Sequence, residues 1–217
     1  METNPFRAAR TSRGEGRPPA GSTPPTPLPR SGVARRWVEE RVAGRTWWAR
    51  APVLLLLAWV LRSLLADPQG FSLFGALTLG FHEMGHASFS WTGHRILTAA
   101  GGTIFQLLVP LAAAAYLAWK QRDPFGAAVC LFWLGTALVD AGVYAADARA
   151  QALPLVSPFG PVDADSHDWT VMLMKFGMLS RDQAIGGALV GAGRALMAAS
   201  LAAGAWVLWV MARTPQE

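Results

Sequence analysis

Two histidines four residues apart, with a glutamate beside the first, stand in Phe81-His82-Glu83-Met84-Gly85-His86, the HExxH pattern. On a helix, positions i and i+4 share one face a turn apart, so both imidazoles can reach one zinc ion while Glu83 addresses a water on it. Zinc lowers the pKa of such a water toward ~7, and Glu83 can take its proton as general base and deliver it to a leaving amine. The chain's own residue frequencies yield this pattern by chance roughly a few times per thousand sequences of this length. The bland alternative is a polar cavity lined by interfacial histidines. Ionisable groups inside an apolar span are costly unless they share a partner, and a metal supplies one. Gly85, with Gly75 and Gly80, reads as a site of close helix contact.

The medium that must hold such a helix follows from composition. Of 217 residues, 52% are apolar and 15% charged, with Trp 10 and Gly 22, which points to a membrane protein. The single cysteine, Cys130, excludes disulfide scaffolds and zinc fingers, and four histidines exclude multi-iron sites built from six or more imidazoles. Ten of the nineteen basic residues lie within Met1 to Arg50 against four acids, so that segment is +6 and the rest is −1. No nucleic-acid recognition module follows it. Basic residues just before an apolar run fit the positive-inside rule instead, and no nucleic-acid partner is expected.

Met1 to Arg30 holds seven of the fifteen prolines, and residues 1–45 read as a disordered, basic, Pro-rich cytosolic tail. The membrane domain is 46–217. Apolar runs broken by polar punctuation predict spans at about 47–65, 71–90, 104–119, 125–146 and 184–212. The fold class is therefore an all-α polytopic membrane protein with about five transmembrane helices. Alternation from a cytosolic amino terminus puts the segment 147–182 in the cytosol as well, an assignment that Lys120 and Arg122 oppose. Within that segment Trp169 to Leu179 reads as a short amphipathic helix on the membrane surface. A bacterial inner membrane is the expected location.

Phe71 to Asp147, about a third of the chain, resembles the site-2 protease family of intramembrane zinc metalloproteases. Besides HExxH in a span, that family has a Gly-Pro-x-x-Asn turn into its next helix. Ala100-Gly101-Gly102-Thr103-Ile104-Phe105-Gln106 is similar, with Thr103 in place of the proline and Gln106 in place of the asparagine. The resemblance implies a three-helix metalloprotease core in the second to fourth spans, and a third ligand where the family has the aspartate of Leu-Asp-Gly. Asp147, followed by Ala148, occupies that position, and Asp140 stands where the family has an asparagine.

Helical rise favours the other aspartate. Counted from the span starts, Asp140 lies at about the depth of His82 and His86, whereas Asp147 lies roughly 10 Å beyond. The expected ligand set is His82, His86 and Asp147, with Asp140 as a partner behind them. His167-Asp168 is a further pair able to reach over the site, although capping of the Trp169 helix, by Ser166 or Asp168, is the plainer role. The function expected from these residues is zinc-dependent hydrolysis of peptide bonds in a membrane protein or peptide substrate within the lipid bilayer, with one Zn2+ per chain and Glu83 as general base. Selection of substrates falls to the spans, the 147–182 segment or a partner, since no segment is large enough for an added peptide-binding domain. The competing class is a membrane protein that binds zinc for assembly or metal handling; hydrolysis of another bond, such as a lipid amide, is a third reading.

Overall fold

Apolar runs closed by proline, glycine and aspartate fold as helices, and among the described residues (30–42, 44–154 and 167–214) the computed structural model contains no strand. The helices are α1 (Arg30–Val42), α2 (Ala51–Ala66), α3 (Gly75–Ser90), α4 (Arg95–Trp119), α5 (Pro124–Ala146), α6 (Asp168–Lys175) and α7 (Asp182–Arg213), the last entered through a 3₁₀ turn at Leu179–Arg181. Pro52 and Pro124 sit in first turns, where a missing N–H costs nothing. Asp123 caps α5 by accepting from Gly126 N at 3.1 Å.

Three helical stretches are long and apolar enough to cross a membrane: Arg95–Trp119, Pro124–Ala146 and Leu179–Arg213. Large apolar side chains face outward around the bundle, among them Leu55, Trp59, Leu77, Leu108 and Leu111, as they do on a surface meant for lipid. α2 and α3 have 16 residues each. At ~1.5 Å per residue that is about 24 Å, short of a ~30 Å hydrocarbon core.

These two short helices run the same way, and this corrects the five-span expectation. α2 lies antiparallel to α7, with Leu54 beside Gly204. Half-way along α7, Arg194 donates from Nε and Nη2 to the Leu64 carbonyl at 3.0 and 2.7 Å, satisfying the end of α2 inside the apolar layer. α5 is also antiparallel to α7, with Gly135 against Gly193 and Gly142 against Gly186. α2 therefore starts beside the start of α5, where Arg50 pairs with Asp123 at 2.9 Å, and stops about half-way along it. Residues 67–74 double back, bringing Phe71 to 5.3 Å from Trp59, and Phe74 stacks on Trp133 where α3 begins. α3 then continues in the direction of α2, so the pair makes one traverse.

Opposite ends of the bundle consequently gather different segments. One end collects the start of α2, the α4–α5 turn, the end of α7 and α1. It carries Arg35, Arg36, Arg41, Arg45, Arg50, Lys120, Arg122 and Arg213, and is called the basic end below. The other end collects the α3–α4 turn, the end of α5, α6 and the start of α7. The segment 147–182, expected on the same side as the amino-terminal region, thus begins and ends at the opposite end. The expected tail 1–45 is also corrected where it is described. Arg30–Val42 is helical because Val38 and Val42, one turn apart, bury against Phe125, Val207 and Met211. Residues 1–29 and 155–166 lie outside the described residues.

Candidate metal centre

α3 and α4 form a tight antiparallel hairpin, and glycine lets them do so. A Cβ on Gly85 would fall onto the Gly101 carbonyl, and one on Gly101 would meet Gly85 O at 2.6 Å. Gly102 lies under the imidazoles, where a Cβ would stand 2.6 Å from His82 Nε2 and 2.7 Å from His86 Nε2. Ala100-Gly101-Gly102, expected to turn the chain into the next helix, is thus inside α4 and serves as the floor of the site.

Both rings are held by their inner nitrogens. His82 Nδ1 donates to Gln106 Oε1 at 2.6 Å, and Gln106 Nε2 donates to the Ala137 carbonyl at 2.9 Å. A carbonyl can only accept, so the amide orientation is fixed and with it the tautomer of His82. His86 Nδ1 donates to the Thr98 carbonyl at 2.7 Å, with the same result. Each Nε2 is left with a lone pair aimed at one oxygen, Asp168 Oδ2, at 3.1 Å from His82 and 3.2 Å from His86. Three acceptors facing one another call for a cation or a proton among them. His82, His86 and Asp168, with ligand atoms within 4.8 Å of one another, can hold a metal ion. Ligand atoms ~2.0 Å from a tetrahedral ion stand roughly 3.3 Å apart, close to the distances found.

Asp168 arrives from α6. His167 is the N-cap residue, its Nδ1 accepting from Thr170 N at 3.3 Å, and Asp168 N donates to the Tyr144 hydroxyl at 3.2 Å. Burial lowers the His167 imidazole from its ordinary value despite the nearby Asp147 carboxylate. The expected surface helix is present, but it docks by burying Asp168 and Leu173.

Asp147, the expected third ligand, does not join the histidines. It ends α5, where its carboxylate accepts from Ala152 N and Leu153 N, both at 3.0 Å, and lies 3.5 Å from His167 Nε2. Those contacts shape the turn that starts the return toward Asp168, and α5 stays helical past Gly142, so nothing carries Asp147 back to the metal position. Capping by Ser166 or Asp168 was the plainer expectation; Ser166 lies outside the described residues, the cap is His167 instead, and Asp168 reaches the histidines. Gln106, noted only as a substitution, proves to orient His82. Its signal was an amide in an apolar span, which must find partners.

A cavity of about 830 Å³ opens beside the cluster, lined by His82, Glu83, His86, Gln106, Asp140 and Tyr144 among others. Glu83 is half-buried at its wall. Asp140 shares the cavity, as its depth along the helix implied. Comparison with protein-family models, curated proteins and solved structures found no match.

Proposed function

We propose that the protein is an intramembrane metalloprotease, similar in its chemistry to the site-2 proteases, in which His82, His86 and Asp168 hold one zinc ion and Glu83 is the general base. One observation carries the reading. The two Nε2 atoms of an HExxH helix converge with a buried carboxylate on the wall of a cavity within a bundle of apolar helices, and the motif's glutamate lines that cavity. Two imidazoles and one carboxylate are the donor set of catalytic zinc sites, which keep a position free for water. When bound, zinc supplies a Lewis acid that acidifies water and polarises a carbonyl.

The chain's own residues do the rest. Gln106 and the Thr98 carbonyl fix both imidazole tautomers so that Nε2 faces outward. Glu83 takes a proton from the attacking water and passes it to the departing nitrogen, so the bond yields one carboxylate and one amine. A peptide bond inside a helix is shielded by its own hydrogen bonds, so substrates must unwind locally, which favours helices weakened by glycine, proline or polar residues.

The test is metal analysis of the purified protein beside cleavage of a panel of single-span substrates, with Glu83→Gln as the decisive variant. The amide keeps nearly the same shape but cannot accept the proton. The reading requires a folded, zinc-loaded protein slowed by about 10²- to 10⁴-fold or more. Cleavage that survives Glu83→Gln while His82→Ala abolishes it would make the zinc structural and end the enzyme assignment.

A further inference from the structure

Toward the basic end the cavity is lined by Thr78, and behind it stands Trp133, whose Nε1 donates to Thr78 Oγ1 at 2.9 Å, with Phe74 stacked on the same ring and Phe81 beside it. Toward the other end its wall runs through Gly93 and Arg95 in the α3–α4 turn to Pro154 and Val171 near α6, and these reach the surface. From Ala137, level with Gln106 and His82, to Ala146 at the end of α5 is about 14 Å at ~1.5 Å per residue, against roughly 20 Å back to Pro124. The site is thus nearer the end onto which it opens.

That end is poor in cations. Among the described residues it carries Arg95, Arg149, Lys175 and Arg181, whereas the basic end carries eight lysines and arginines. The sequence ahead of α1, which leads into the basic end, adds Arg7, Arg10, Arg13 and Arg17. An excess of lysine and arginine in segments flanking spans stays in the cytosol. The structure also removes the one contrary signal. Lys120 and Arg122 fall beside Arg45 and Arg50 because α2 and α3 make a single traverse, and the Arg45 and Arg50 pairs with Asp123 fix that arrangement at 3.1 and 2.9 Å.

From this juxtaposition we infer that the cavity opens away from the cytosol: the chain takes its substrates from the extracytoplasmic side, and cuts bonds in the outer half of the bilayer or just beyond it. The inference rests on the protease reading for the word substrate, but its orientation does not. The class of substrate is a membrane-inserted or juxtamembrane segment presented from outside. The α2–α3 connection at Pro68 to Gly70 also lines the cavity, giving such a segment a lateral approach between α3 and α5.

The test uses the full chain in the inner membrane of a bacterial host, in a Cys130→Ala background. Ser180→Cys reports the cavity end and Lys120→Cys the basic end; both positions are exposed. A membrane-impermeant maleimide should label Ser180→Cys in intact spheroplasts and Lys120→Cys only after lysis. The reverse pattern, or equal labelling of both before lysis, overturns the inference whatever the protein's activity. A second arm uses a single-span substrate tagged on both sides, with fragments sized by mass spectrometry. Cuts in the outer half support the inference and cuts in the cytosolic half overturn it. Failure of the protease reading appears separately, as cuts unaffected by Glu83→Gln.

Discussion

Along α5 and α7 the backbones touch. Gly135 packs on Gly193 and Gly142 on Gly186, and Phe132, Val139 and Met197 fill the space around them with no exposed surface. Across the bundle, α3 meets α5 at Trp133 near its own start, and a mostly apolar cavity beside them carries the polar groups of His82, Glu83, His86, Gln106 and Asp168 in its wall. Glycine appears in both regions for different reasons. In the α5–α7 pair it admits another backbone, whereas at Gly102 it admits two imidazole rings. The first region is a scaffold whose changes act on folding; the second holds buried Thr78, His82, Gln106 and Asp168, whose changes act on what the cavity binds.

The largest expected effect is on the scaffold. In Gly135→Val the new Cβ would meet Met197 Cγ at 2.6 Å and the Gly193 carbonyl at 2.9 Å, so a helix must move. We expect a loss of about 3 kcal/mol, read as a drop in detergent melting temperature, with zinc content per folded chain unchanged. Normal melting would show that the pair is looser than described. Next comes Gly102→Ala, whose methyl would meet His82 Nε2 at 2.6 Å and His86 Nε2 at 2.7 Å, among the atoms nearest to it. Zinc affinity should fall ~10- to 100-fold with metal-free melting nearly unaltered. The opposite outcome, melting lost and zinc kept, would erase the distinction between the two regions.

The smallest effect lies at the basic end. Burial would raise the Asp123 carboxyl, but the hydrogen bond from Gly126 N and the Arg50 and Arg45 guanidiniums hold it below the usual range. A depressed carboxylate contributes stability that is complete above its unfolded-state value and is lost as pH falls through the folded-state value. In Asp123→Asn the acid limb of the stability curve should flatten by about 1 kcal/mol or less, because the pair is partly solvated. Titration of melting temperature between neutral pH and acid measures it, and an unchanged acid limb would contradict the assigned pairing.

How much of this was legible beforehand depends on sequence distance. Helices α4, α5 and α7 are written in long apolar runs, and the histidine pair in a spacing of four, all local signals. The single traverse of α2 and α3 is set by Arg50 meeting Asp123 and Arg194 meeting Leu64, contacts 73 and 130 residues apart. No local pattern carries them. Lys120 and Arg122 held the relevant clue, because charges that fit an alternating topology poorly fit the observed one well. Asp168 meets His82 across 86 residues. Its neighbour His167 drew attention to the pair, but only the return of the chain after Asp147 selects Asp168 over the aspartates of α5. Asp147, which resemblance favoured, lies about two turns too far along a helix that does not unwind.

Zinc stoichiometry of two purified variants tests the metal centre most directly. The account predicts about one zinc per wild-type chain and loss of most of it in Asp168→Asn, where a ligand oxygen is replaced. In Asp147→Asn, which alters only the turn leading toward Asp168, affinity should weaken by no more than ~10- to 100-fold, so that zinc-saturated protein still binds one ion. Full zinc retention in Asp168→Asn together with its loss in Asp147→Asn would contradict the account and return the third ligand to the end of α5.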